Sequence, residues 1–456
     1  MQKLKLFQFS NKNFKAIFNI FLLISIILLI IFSRSFIGIY LFGFRIGELI
    51  VGLSLISSII LLLFFPKKIK NAINKKHLYY VLILQSMFFT NFIIKDYELT
   101  NLYIFQSSSF IWIISYLILF LLLIENDYLV ISNRFSWILN ALLIVVYFLQ
   151  SVYFYRLSLI YGGYSSRYNE IEAFDSGSML LNFFINYSDK FETYKGTDFL
   201  IFFVLVTLIN NSKKDFVNKR FSYLIITSSL FLPFLMIRSR VSAAAFVVYV
   251  ISEIYINYRK DLNVKNYFIN FTIGCLIFYS STIFLFQTGI SSINIEMDEI
   301  SLTQALFNER NIYQNDGSFL EINNGRIYSS DGNLNWRLQI WQDVIDDLWD
   351  SDKIFFGYGF ENKIPAMEDG LRQGLDGNNE HVHNFIINLL ARVGLLGVSV
   401  FILIFVNILK SFNSKSNLFF IIPLLAASTF DSSMENVHFP LILYFMIAYK
   451  VRNYTN

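Results

Sequence analysis

The densest set of groups able to move a proton or hold a charge is Asn378-Asn379-Glu380-His381-Val382-His383-Asn384. Only four histidines occur in the chain, and His381, His383 and His438 all lie toward its C-terminal end. An imidazole has an unperturbed pKa of about 6.5, so His383 suits general base work near neutral pH. A helix is expected to begin just after it, and the free backbone N–H groups of a helix start favour an anion at the same place. The plainer alternative is an interfacial histidine that does no more than cap that helix. His381 and His383 are two residues apart and would point to different faces of a helix, so a zinc pair is not expected. No metal or cofactor is expected elsewhere either. Asp431, Glu435 and His438 form a second polar cluster, Asp346-Asp347 reads as solvated, and His77 sits in a basic stretch where it too is expected to be solvated. Cys275 is the single cysteine, which excludes an intrachain disulfide.

The elements that must position these groups are helices in a bilayer. The chain has 456 residues, 55% apolar and 15% charged, with a mean hydropathy of +0.52; soluble domains carry about a quarter charged residues. Runs such as Ile17–Phe32, Leu49–Phe65 and Tyr267–Phe286 are long enough to cross a hydrocarbon core of roughly 30 Å. Backbone polar groups there must be satisfied within the segment, which leaves helices. Hydropathy thus predicts an all-α polytopic membrane protein with about twelve spans, near 16–33, 46–65, 78–94, 103–124, 137–154, 197–210, 221–237, 242–256, 267–287, 384–408, 417–430 and 438–450.

Charge sets the orientation. Lys3, Lys5, Lys12 and Lys15, the lysines of loop 66–77, and the basic residues of 211–220, 257–266, 409–416 and the C-terminal tail all fall on one side. By the positive-inside rule that side is cytoplasmic, with both termini on it. The net charge of +4 is accounted for by these loops, and no nucleic-acid partner is expected. The basic start resembles a signal peptide but has no small-x-small site before Arg34, so an uncleaved first helix is expected. Three regions follow: residues 1–287 with nine spans and a minor outer loop at about 156–196, a large outer loop at 288–383, and residues 384–456 with three spans. A connection of that length is expected to be functional. Within it Arg337, Trp341, Val344, Ile345 and Leu348 recur at helical spacing, predicting an amphipathic helix over Asn335–Asp350 that lies on the membrane or caps a cavity.

His383-Asn384 is followed after nine residues by Gly394-Leu395-Leu396-Gly397, and Gly357-Tyr358-Gly359 precedes both. This pattern resembles the bacterial O-antigen ligase and O-antigen polymerase superfamily. Arg337 one helical turn before Trp341, Ser239-Arg240 followed by Ser242-Ala243-Ala244-Ala245, and Asp431 fit it as well. The diagnostic residues run only from about 238 to 440. The resemblance implies a GT-C-like glycosyltransferase in the bacterial inner membrane. It would use an undecaprenyl-pyrophosphate-linked glycan at a periplasmic site, for a surface polysaccharide such as O-antigen or capsule. Arg240, Arg337 and Arg238 would stabilise the diphosphate, His383 would be the base, and Asn384, His381, Trp341 and Asp431 would support them. Attack opposite the phosphate predicts inversion.

Two acceptors are open, a lipid-linked repeat unit for a polymerase and lipid A–core for a ligase. Segment 288–383 holds 17 acidic against 6 basic residues, which would repel a phosphorylated core and favours polymerase, with a chain-length regulator as an expected partner. From another class, a lipid-linked oligosaccharide flippase or transporter would have a similar outline. Such proteins place ionisable groups near mid-membrane, whereas Glu48 and Glu253 lie toward span ends here.

Overall fold

The computed structural model describes residues 11–64, 75–95, 107–114, 116–120, 133–149, 183, 186–188, 195–212, 220–257, 264–287, 319–361, 363–369, 382–416 and 418–453. Helices dominate. In chain order they begin with α1 (Asn11–Phe32) and the short α2 (Arg34–Ile37), then a hairpin of β1 (Tyr40–Leu41) and β2 (Phe44–Arg45). There follow α3 (Ile46–Phe64), α4 (Lys75–Lys95), α5 (Ser109–Ile113), α6 (Asn133–Leu149), α7 (Gly196–Asn211), α8 (Arg220–Arg238), α9 (Arg240–Asn257) and α10 (Val264–Gln287). A second antiparallel hairpin, β3 (Leu320–Asn323) and β4 (Arg326–Ser329), leads into α11 (Gly332–Asp350) and α12 (Pro365–Glu368). The chain ends with α13 (Phe385–Ser416), α14 (Ile421–Thr429) and α15 (His438–Asn453).

Segments Arg220–Arg238, Phe268–Leu285 and Phe385–Phe412 are long and apolar enough to cross a membrane. Shorter apolar helices include Ile46–Ser57, Phe135–Leu149, Gly196–Asn211 and His438–Val451. α10 shows why lipid suits this surface. One side turns Phe268, Phe271, Leu276 and Tyr279 outward, each more than 60% exposed, whereas a water-soluble surface seldom carries so large an apolar patch. Its other side meets α8 at Gly274, where a Cβ would come within 2.9 Å of Ile225 and Ser229. Small residues permit such close helix approach in membranes.

α7 is apolar all round and buried from Gly196 to Asn210, as such a helix must be. Phe199 and Phe203 pack edge to face on Phe231 of α8, with centroids 5.0 and 6.0 Å away. α15 lies against α7 and is buried for nearly its whole length, so the two helix starts are brought together at one end of the core.

α11 has the amphipathic character predicted, with a different face and use. Its buried stripe is Ile340, Val344 and Leu348, with Trp336 and Trp341 partly covered, while Ile345 is exposed. The stripe builds a second core with Tyr358, Ile364, Met367, Val382, Leu390 and Ala391, so this apolar face is spent on protein and not on a membrane surface. Asp331 caps the helix by accepting from Leu334 N at 3.0 Å.

Two other expectations are corrected. Residues 409–416 are the last turns of α13, not a loop. His77 is fully buried, its ring stacked 5.2 Å from Phe412, because α4 starts at Lys75 and packs along α13.

α13 carries a break. Gly394 has φ +65° and ψ −171°, which interrupts the helix. Segment 353–360 fills the interruption: Tyr358 N donates to Ala391 O (2.7 Å), Gly359 N to Arg392 O (3.0 Å) and Leu395 N to Ile354 O (2.9 Å). A Cβ on Gly394 would lie 2.2 Å from the Phe355 carbonyl, and one on Gly357 2.5 Å from Arg392. The two glycine motifs are therefore halves of one joint.

Candidate functional site

α8 and α9 meet in a sharp reversal at Ser239. Its Oγ accepts from Ser242 N at 3.2 Å, the bond of an N-cap, and this sets Arg240 at the first position of α9. Arg238 closes α8, half-buried. The Arg240 side chain is 85% exposed and donates through Nη1 to Asp331 Oδ2 at 3.1 Å. Asp331 thus ties the start of α9 to the start of α11.

Arg337 and Trp341, one turn apart on α11, both reach across to neighbouring segments. Arg337 Nη1 donates to the Phe430 carbonyl at 2.8 Å, and Trp341 Nε1 donates to the Val382 carbonyl at 2.8 Å, its ring 6.0 Å from Phe430. Burial lowers the Arg337 pKa, and Asp431 and Asp331 oppose that; a guanidinium stays protonated under such a shift.

The His-Asn pair divides its labour. Asn384 caps α13, its Oδ1 accepting from Ile386 N (3.0 Å) and Ile387 N (3.3 Å). His383 precedes the cap in the left-handed region, φ +53°, uncommon for a side-chain-bearing residue and frequent at functional positions. Its ring lies 5.0 Å from that of Trp336. α11 therefore carries Arg337, pairs through its cap with Arg240, and packs on His383. His381 lies outside the described residues.

The cluster expected from Asp431, Glu435 and His438 is organised differently. Asp431 accepts from Thr197 Oγ1 (2.7 Å) and Ser433 Oγ (2.9 Å). It also faces Arg34 Nη2 at 3.2 Å and Lys195 Nζ at 3.5 Å. Burial works against its charge, yet Lys195, Arg34 and the two hydroxyls hold its carboxyl well below the usual carboxylate range. His438 turns instead to Asp198, with Nε2 2.7 Å from Oδ1. Glu435 belongs to the short turn 432–435 between α14 and α15.

Arg34, Lys195 and Asp198 were not singled out from sequence, though a signal existed. Arg34 follows directly on an apolar run, and Lys195 and Asp198 flank the start of a helix that is otherwise apolar. Ionisable groups in such places are candidates for function. Gly196 carries the connection to Arg240: a Cβ there would lie 2.8 Å from Ser239 and 3.1 Å from Ser242, so glycine lets the start of α7 abut the α8–α9 corner. Lys195, Arg34, Arg337 and Arg240 thus surround two carboxylates, Asp431 and Asp331, an arrangement suited to a multiply charged anion.

No curated protein matches the chain. Residues 224–402 match the family model described as O-antigen ligase, a stretch that holds Arg238, Arg240, Arg337, His383, Asn384, Gly394 and Gly397 and excludes Arg34, Lys195 and Asp431. That match supports the resemblance to the O-antigen ligase and polymerase superfamily of membrane glycan transferases.

Proposed function

We propose that this protein polymerises undecaprenyl-pyrophosphate-linked oligosaccharide repeat units of a surface polysaccharide at the periplasmic face of the inner membrane. His383 takes the proton of an acceptor hydroxyl as that oxygen bonds to the anomeric carbon. The bond between that carbon and the phosphate oxygen breaks, and the diphosphate leaves with the bonding electron pair. Attack from the face opposite the leaving group inverts the anomeric centre. The positive charge of Arg240, Arg337 and Arg238 offsets the charge that grows on the diphosphate. Trp341, Asn384 and Asp431 hold the frame, with His381 beside it in sequence.

The observation that carries the reading is the single helix α11. Arg337 lies on it, Arg240 pairs with its cap at 3.1 Å, and Trp336 lies against His383. Arg240 is 85% exposed, and an exposed ion pair is worth about 0–1 kcal/mol. A diphosphate, with more charge and more acceptor oxygens than Asp331, can displace that carboxylate at little cost.

For the acceptor, the excess of 17 acidic over 6 basic residues in 288–383 favours a lipid-linked repeat unit over a phosphorylated lipid A–core. A second reading, transfer of the finished glycan to lipid A–core, is favoured by the family description itself, O-antigen ligase. Deleting the gene and separating the surface polysaccharide on a gel tests the choice. Polymerase predicts loss of long chains with single repeat units still on core. Bare core, with long glycan accumulating on the lipid carrier, would contradict it.

A further inference from the structure

Below Arg337 lies a set of buried charges that the transfer step leaves without a task. Asp198 opens α7 and His438 opens α15, and their side chains are 1% and 0% exposed. A carboxylate can only accept, so the short contact between them sets a proton on His438 Nε2. The other Asp198 oxygen accepts from Ser33 Oγ at 2.6 Å and lies 3.9 Å from Arg34 Nε. Arg34, itself 6% exposed, reaches on to Asp431 at 3.2 Å and Ser433 at 3.4 Å.

Stability does not account for this arrangement. Replacing a buried ion pair with apolar groups of similar volume is often neutral or stabilising. α7 and α15 are apolar along most of their shared length and pack without charges there. Direction accounts for it better. The contacts run from His438 to Asp198, to Arg34, to Asp431, and the residue before Asp431 is Phe430, whose carbonyl receives Arg337 at 2.8 Å. Asp431 lies two residues past the end of α14, so its backbone placement depends on what its carboxylate is tied to. Asp198 and Asp431 share Arg34 between them. Without the first charge, Arg34 loses its ion-pair contact on that side.

We propose that Asp198, held by His438 and Ser33, is a positioning residue: through Arg34 it fixes the turn at Asp431, and with it the Phe430 carbonyl that aims Arg337 at the diphosphate. This rests on the assignment of Arg337 to the diphosphate, and it gives the N-terminal part of the chain, outside the family match, a part in the site.

The test is a double-mutant cycle on the affinity of the full-length protein in lipid nanodiscs for undecaprenyl pyrophosphate, the leaving group. Asp198→Asn keeps the shape and removes the charge. It is expected to weaken binding about tenfold, equivalent to about 1.4 kcal/mol, and Arg337→Lys by at least as much. Because both act through one guanidinium, the double variant is expected to bind no worse than Arg337→Lys alone. Wild-type affinity in Asp198→Asn, or losses that multiply to about a hundredfold in the double variant, would overturn the proposal. Should Asp198→Asn not be recovered folded, His438 carries the test. His438→Gln, which retains an N–H donor toward Asp198, should bind nearly as wild type, and His438→Leu about tenfold more weakly; equal losses in the two would overturn the proposal. A wild-type protein that does not bind undecaprenyl pyrophosphate would remove the functional reading together with this one. Failure of the cycle alone leaves the functional reading standing.

Discussion

The transfer proposed needs a neutral imidazole at His383. Asp431 adds no acid response of its own within or above the usual carboxylate range. Its carboxyl is held well below the usual range by Lys195 and Arg34 against the effect of burial. A group depressed in the folded state stabilises above its unfolded pKa of about 3.9, and that contribution is lost only as pH falls through the lower folded value. Asp431→Asn should therefore reduce transfer by about tenfold or more, the scale of a lost charge-assisted hydrogen bond, and leave the acid limb of the pH–rate profile in place. An acid limb that moves in this variant would assign the titration to the wrong group. At this scale the sequence was informative where a motif existed. His383-Asn384 and Ser239-Arg240 each turn out to be a helix cap with a functional candidate beside it. Arg34 and Lys195 had no motif around them, and their meaning depends on contacts with Asp431, 397 and 236 positions away in the chain.

Among the elements, the joint between α13 and segment 353–360 makes the sharpest prediction. Gly394→Ala combines a left-handed φ with a Cβ 2.2 Å from backbone atoms of Phe355. Neither can relax without undocking the segment, so the cost should exceed about 3 kcal/mol and transfer should be lost with it. Gly325→Ala is the control, because Gly325 has φ +80° and nothing within 4 Å of its Cβ position. Only the backbone term remains there, about 1–2 kcal/mol. Thermal unfolding of the two purified variants in detergent checks the contrast, and similar losses would show that the α13 break is not a packed joint. Hydropathy marks the three helices long and apolar enough to cross a membrane because apolar runs are contiguous in sequence. It could not locate the break in α13, since Gly394 reads as one more small residue in an apolar stretch until its neighbour across the gap is known. The β3–β4 hairpin is legible in the sequence: Asn324-Gly325 between alternating residues is the usual signal of a tight hairpin, and both residues take positive φ. The buried face of α11 differs from the predicted stripe because Trp336 and Ile340 belong to it and Ile345 does not.

Across the whole molecule, the family match covers the segment that brings the proposed base and the cations, while the charges paired with Asp431 come from α2 and from the residue before α7, and α15 adds His438 against Asp198. The outline of helices alone would have suited a transporter equally well. What favours transfer is that ionisable groups sit at helix starts, Asp198 at that of α7, Arg240 at that of α9, Asp331 at that of α11 and His438 at that of α15. The central claim is that these groups transfer a glycan from a lipid diphosphate with His383 as the base. Its most direct test is the release of undecaprenyl pyrophosphate from lipid-linked repeat units by purified wild type and His383→Ala in vesicles. Wild type should release it in step with glycan extension, and His383→Ala, folded and inserted to the same extent, should be slower by at least about a hundredfold. Release by His383→Ala at the wild-type rate would contradict the account.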